Sequence, residues 1–214
     1  MKIAIIGANG KAGQEIYKEA IKRGHDTTAL VRDGGKAKGI LGANTKIIEK
    51  DAFDLTQKDL AALDVIVDCF ATPPPQAYRH IDLTAKLVSL FRETESPRLI
   101  FILGAGSLRT GADKHLLVED IKHMAGSEAW INIPIQQLKQ LKFLQEVDNV
   151  NWTGISPSAL FEPGPANGVL LGKDDLLYSG DGKSHTTTGT MAVAVLDEIE
   201  RPAHVKQRFT VADS

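Results

Sequence analysis

The sequence predicts an α/β fold: a doubly wound parallel sheet with helices on both faces and a small C-terminal cap. Three observations predict it. Short apolar runs alternate with segments of helical period through the first half of the chain. The strongest strand-like runs, such as Ile3–Ile6 and Leu99–Leu103, are apolar without a break, as suits strands covered on both faces. The first run, ending at Ile6, breaks into glycines at 7, 10 and 13, and a helical pattern follows at once. Parallel neighbours need crossover connections, and these are right-handed almost without exception.

Lys2–Ile6 reads as the first buried strand. Ala12–Arg23 places Ala12, Ile16, Ala20 and Ile21 near one face and reads as a helix closed by Gly24. Thr27–Val31 is a second strand and Thr45–Glu49 a weaker third. Thr56 is suited to cap a short helix ending at Leu63. Asp64–Phe70 is a fourth strand, broken by Pro73–Pro75, and Gln76–Glu93 follows as a long helix. Arg98–Leu103 is a fifth strand that ends in Gly-Ala-Gly-Ser.

Leu108–Asn132 mixes polar loop with short helix. Pro134–Val147 is a helix whose stripe is Ile135, Leu138, Leu141 and Leu144, and proline suits its first turn. Asn151–Ser156 is a sixth strand, Met191–Glu200 a helix and Arg208–Ala212 a final strand. The glycine-rich segment 157–190 is expected to form a small substrate-side cap within a single domain spanning 1–214. The expected strand order is 3-2-1-4-5-6 with one further short strand. The ligand crevice lies at the carboxyl ends of the strands.

Composition narrows the function. The chain has 214 residues, 43% hydrophobic and 24% charged, enough for one sizeable core. A net charge of -2 points to neither nucleic acid nor an anionic membrane surface. The single cysteine, Cys69, suits a reducing compartment and reads as a packing residue rather than a nucleophile. The N-terminal apolar run is too short for a signal or a membrane span, so a cytoplasmic protein is expected, as a monomer or homodimer. The six histidines show no metal-ligand spacing, so no metal is expected; His115 and His123 read as surface residues.

The glycines carry the strongest functional signal. At a strand-to-helix junction, Gly7 permits a tight turn, Gly10 leaves room for a pyrophosphate, and Gly13 lets helix and strand approach. The amide groups and dipole of the helix start attract phosphate. The spacing is G-x-x-G-x-x-G, without the Gly-Lys-Ser/Thr of a mononucleotide loop. At the end of the second strand, Arg32 suits the 2′-phosphate of NADP, while the adjacent Asp33 keeps NAD open.

The stretches GANGKAG, LVRD, DAFD, LGAGSL, NWTGISPSALFEPG and RFTVA, taken together, resemble the atypical short-chain dehydrogenase/reductases. More closely, they resemble the bacterial NAD(P)H-binding, NADH-flavin reductase group, related to biliverdin reductase B and NmrA-like proteins. The resemblance runs nearly the whole length. It implies a Rossmann-like domain and a bound dinucleotide lined by Gly7, Asn9, Gly10, Lys11, Ala12, Gly13, Arg32, Asp51, Ala52, Phe70, Ala71 and Thr72. It implies that Gly104–Leu108 and Ser156–Phe161, including Pro157, frame the nicotinamide end. Ser158, Phe161 and Trp130 are substrate-side candidates; the two aromatic residues read equally as pocket walls or core.

One departure stands out. The acid-base set of standard members is Tyr-x-x-x-Lys with an upstream serine. Here tyrosines occur only at 17, 78 and 178, and none has lysine four residues on. Ser107 matches the serine position and is the weak catalytic candidate, with turn capping as its other reading. The resemblance therefore implies a reductase that passes hydride to a flavin, quinone or similar flat acceptor, the flavin being substrate rather than prosthetic group. Its alternative is a non-catalytic redox sensor of the NmrA-like type.

Overall fold

A computed structural model describes residues 1–214. Strand β1 (Lys2–Ile6) leads through the glycine turn into helix α1 (Gly13–Lys22), then β2 (Asp26–Val31), α2 (Gly34–Leu41) and β3 (Lys46–Glu49). Helix α3 (Gln57–Leu60), β4 (Val65–Asp68), α4 (Arg79–Leu90) and β5 (Thr94–Ile102) follow. A two-residue hairpin, β6 (Arg109–Thr110) and β7 (His115–Leu116), precedes α5 (Leu117–His123) and α6 (Asn132–Gln145). The chain continues through β8 (Val150–Pro157), β9 (Leu160–Glu162), β10 (Leu170–Gly172), β11 (His185–Thr187), α7 (Thr188–Glu200) and β12 (Gln207–Ala212).

The main sheet runs β3-β2-β1-β4-β5-β8-β12-β10, parallel except for β10. Its first six strands have the doubly wound order expected from the sequence. Alternate residues of each strand serve opposite faces. Ile3 and Ile5 of β1 join Val65, Val67, Ile100 and Phe209 beneath α1 and α7. Ala4 and Ile6 join Ile66, Leu99, Phe101 and Trp152 beneath α4 and α6. Both faces are covered, which is why these strands read as unbroken apolar runs. No helix is long and apolar enough to cross a membrane.

Helices α1 and α7 pack on each other over one face of the sheet. Arg23 closes this contact, donating to Asp197 at 2.7 Å and Glu200 at 2.9 Å. Thr56 and Asp59 form a reciprocal cap at α3.

Several elements depart from the sequence reading. Helix α2 has no counterpart there, because Gly34, Gly35 and Gly39 mask its helical period. Asp33 anchors it, accepting a 2.8 Å bond from the Lys36 amide. The long helix of 76–93 starts only at Arg79, after a single tight turn at Pro74–Gln76. Segment 157–190 is not wholly a cap: β9 and β11 form a small parallel sheet, but β10 pairs antiparallel with β12 at the main sheet's edge.

Candidate functional site

The glycine turn lies at the carboxyl edge of the sheet, between β1 and α1. Gly7 adopts φ 71°, and its amide donates to Leu30 O at 3.0 Å. A Cβ there would sit 2.8 Å from the Cys69 carbonyl, so the chain passes too close to β4 for any side chain. A Cβ on Gly13 would lie 2.9 Å from Ala8 Cα, which fixes α1 against the turn. A Cβ on Gly10 would meet only the Gly7 carbonyl, at 3.1 Å, and would otherwise project into open space. The turn is thus a bare backbone cradle of the kind that fits a pyrophosphate.

A crevice of about 150 Å³ opens on one side of this turn. Gly7, Asn9 and Gly10 form its floor; Arg32, Asp51 and Ala52 come from the ends of β2 and β3, and Phe70 and Ala71 from the end of β4. Two cations join them that the sequence did not single out, Lys50 and Arg79. The Arg79 guanidinium lies 4.3 Å over the Phe53 ring and 5.8 Å from that of Phe70. The one cue to Lys50 was its place at the end of the third strand; Arg79, at the start of α4, had none. Asp51 accepts from the Phe53 amide at 2.9 Å, so one of its oxygens serves its own turn.

Cys69 lines the same crevice, but burial holds its thiol well above the usual range and the charge of Asp68 adds to this. Beneath it, Asp68 and His80 are both buried. Burial pushes the Asp68 carboxyl up to about 6, against the 2.9 Å bond it accepts from the Phe70 amide. Burial pushes the His80 imidazole down to about 4. The Phe70 ring stands edge-on to that imidazole at 5.4 Å.

A second crevice, of about 580 Å³, opens on the other side of the turn. Leu117, Ile121 and Met124 of α5 and its following loop, Trp130, and Ile133 of α6 form an apolar wall. Gly104, Pro157, Ser158 and Phe161 face it from the carboxyl ends of β5 and β8 and from β9. Lys11 lines this crevice and not the first, although it belongs to the glycine turn. Its ammonium donates to the Phe161 carbonyl and lies 5.4 Å from that ring.

Helix α6 presents Ile133, Pro134 and Gln137 to the second crevice. Ile133 and Gln137 are four residues apart, so the inward i, i+4 pair holds no titratable group. Gln137 packs over Gly104, where a Cβ would come within 2.9 Å of its carboxamide carbon. Lys139 and Lys142 are not among the lining residues.

Ser107 lines neither crevice. It is 5% exposed, donates to Gly104 O at 3.3 Å and accepts from buried Arg208 at 3.1 Å. Arg208 also donates to Ser156 at 3.2 Å and Asp174 at 2.6 Å. The Ser107 hydroxyl thus sits in a buried polar staple with Arg208, which also holds Ser156 and Asp174. Ala12 and Gly13 are buried at the start of α1, and Thr72 is not among the residues lining either crevice.

His115 and His123 also line neither crevice. His115 sits between Asp113 at 2.6 Å and Asp120 at 2.9 Å, whose hydrogen bonds hold its imidazole above the usual value.

Comparison with known proteins agrees with this geometry. The Bacillus subtilis protein YwnB is 39% identical over 213 residues, covering 99% of this chain and 98% of that protein. A crystal structure of a Lactobacillus casei protein is 42% identical and superposes with a TM-score of 0.94 over 100% of both chains. One from Streptococcus pneumoniae, named "a putative NADH-flavin reductase", is 30% identical, with a TM-score of 0.89 over 100% of both. An anaerobilin reductase from Escherichia coli, 16% identical with a TM-score of 0.67, covers 100% of this chain and 97% of that one and shares the fold. The model of the NAD(P)H-binding family matches residues 7–200, from the first glycine of the cradle to the end of α7. This chain, a Rossmann-like α/β protein, belongs to the NAD(P)H-binding family.

Proposed function

We propose that the protein is an NAD(P)H-dependent reductase that passes hydride to a flat acceptor such as a flavin or quinone. The observation that carries this reading is the pair of crevices meeting at the glycine turn. The first, with its bare cradle and three cations, suits the adenosine and phosphates; the second suits an aromatic acceptor. When bound, the reduced dinucleotide supplies the hydride from its nicotinamide ring. The second crevice offers no aspartate, glutamate, histidine, cysteine or tyrosine to the acceptor. Its work is to orient the two rings and exclude water. The balance is NAD(P)H plus acceptor plus one solvent proton, giving NAD(P)+ and the two-electron-reduced acceptor.

We assign NADP(H) as the preferred dinucleotide. Arg32 and Arg79 line the first crevice, where Lys50 is already paired with Asp59 at 2.8 Å, and one oxygen of Asp33 is taken by the cap of α2. The name of the Streptococcus pneumoniae relative supports the reductase reading. A redox sensor needs no second crevice, so its presence weighs against that alternative. The test is to mix the protein and NADPH with a panel of flavins and quinones and follow NADPH absorbance. Acceptor-dependent loss is expected. NADPH that binds but is oxidised no faster than without protein would overturn the enzyme reading.

A further inference from the structure

We propose that the acceptor carries an anionic group, a phosphate or carboxylate, and that Lys11 binds it. This inference rests on the reductase reading and names the substrate class for the same site. Lys11 is the one charged side chain lining the second crevice. It has no carboxylate partner among the ion pairs of the fold, and its only hydrogen bond runs to the Phe161 carbonyl. An ammonium has three donors, so two remain available.

The family resemblance implies that Lys11 lines the cofactor. Its placement argues otherwise: the backbone of the turn faces the first crevice, and the Lys11 side chain crosses to the second. Met124, Trp130 and Ile133, all apolar, line the same crevice. The crevice is therefore amphipathic, with a ring-sized apolar wall and a single cation at the cap side. A neutral planar acceptor would leave that cation unmatched. An acceptor with an acidic tail would seat its ring on the wall and its anion on Lys11.

The test measures binding without turnover. The protein, saturated with NADP+, is titrated with FMN and with riboflavin, which share a ring and differ in the phosphate, and quenching of flavin fluorescence is recorded. A second pair, a naphthoquinone with and without a carboxylate tail, separates a phosphate requirement from a general anion requirement. The anionic member of at least one pair should bind roughly five- to tenfold tighter, as a partly solvated charge contact allows, and the advantage should shrink with added salt.

Lys11→Met should bring the ratio close to one, while Lys11→Arg should keep it; the ratio cancels any effect of either variant on the dinucleotide. Equal affinities in the wild type, or a ratio that survives Lys11→Met, would overturn the proposal. Anion-selective binding without NADPH oxidation would uphold the Lys11 site and sink the reductase reading. NADPH oxidation by neutral and anionic acceptors alike, with equal affinities, would do the reverse. If no member of either pair binds, both fall.

Discussion

Gly13 packs directly on the carbonyl of Gly7, and a Cβ on Gly13 would collide with that oxygen and lie 2.9 Å from Ala8 Cα. A Cβ on Gly10, between them, would press only on the Gly7 carbonyl, at 3.1 Å, and otherwise face open space. The two outer glycines therefore hold the shape of the turn, and the middle one keeps its surface clear. Gly13→Ala should cost about 1–3 kcal/mol of stability by overpacking. Gly10→Val should change stability by no more than about 1 kcal/mol yet abolish NADPH binding. Thermal melts and NADPH titrations of both variants check this separation; a Gly10→Val protein that binds NADPH normally would refute it.

The second prediction concerns Arg32. Arg32→Ala should weaken NADPH binding about tenfold and leave NADH binding within about twofold, since the lost partner is the 2′-phosphate. The selectivity should fade with ionic strength, because Arg32 is exposed. Calorimetric titration of both dinucleotides decides it, and equal wild-type affinities would defeat the assignment.

Ser107→Ala should reduce turnover less than about tenfold, far below the 10²–10⁴-fold expected on losing a general acid or base. Its cost should instead appear as about 1 kcal/mol of stability, since Arg208 loses one acceptor while Ser156 and Asp174 remain. Turnover and melting temperature measured on one preparation test both halves. A loss above about 10³-fold with intact NADPH binding would restore Ser107 as a proton donor.

Asp68 and His80 give opposite pH dependences. Asp68 has a folded pKa, about 6, above its unfolded value, so its contribution is greatest below about pH 4 and is lost as pH rises through 6. His80 has a folded pKa, about 4, below its unfolded value, so its contribution is present above about pH 6.5 and is lost as pH falls through 4. Each is worth about 3 kcal/mol, and over pH 4–6 they offset one another. Asp68→Asn should expose the histidine limb, with stability rising from pH 4 to 6.5. His80→Gln should expose the aspartate limb, with stability falling over the same range. Urea melts across pH check the pair; two variants with the same slope would show the assignment to be wrong.

The order of the sheet was legible because unbroken apolar runs such as Ile3–Ile6 and Leu99–Leu103 mark doubly covered strands, and crossover handedness leaves few arrangements. The glycine turn was legible because its steric demands act on neighbours in sequence. What escaped depends on distant partners. Ser107 is occupied by Arg208, 101 residues away, and Arg79 reaches the first crevice from the start of α4. The course of Lys11 into the second crevice is set by the Phe161 carbonyl, 150 residues on. Helix α2 was hidden for the opposite reason: its glycines suppress the local signal, and Asp33 and packing of Ala37 stabilise it.

The contact between α1 and α7 sets a timetable for the nascent chain. The Ile16 and Ala20 face of α1 is covered in part by residues near 191–199, which the ribosome delivers more than 170 residues later. Until then the cradle's own helix stands on an incomplete core, and Arg23 lacks both Asp197 and Glu200. The dinucleotide cradle is therefore encoded first and secured last, so a fragment ending before residue 188 should be held by chaperones as an open chain rather than released as a binding-competent half.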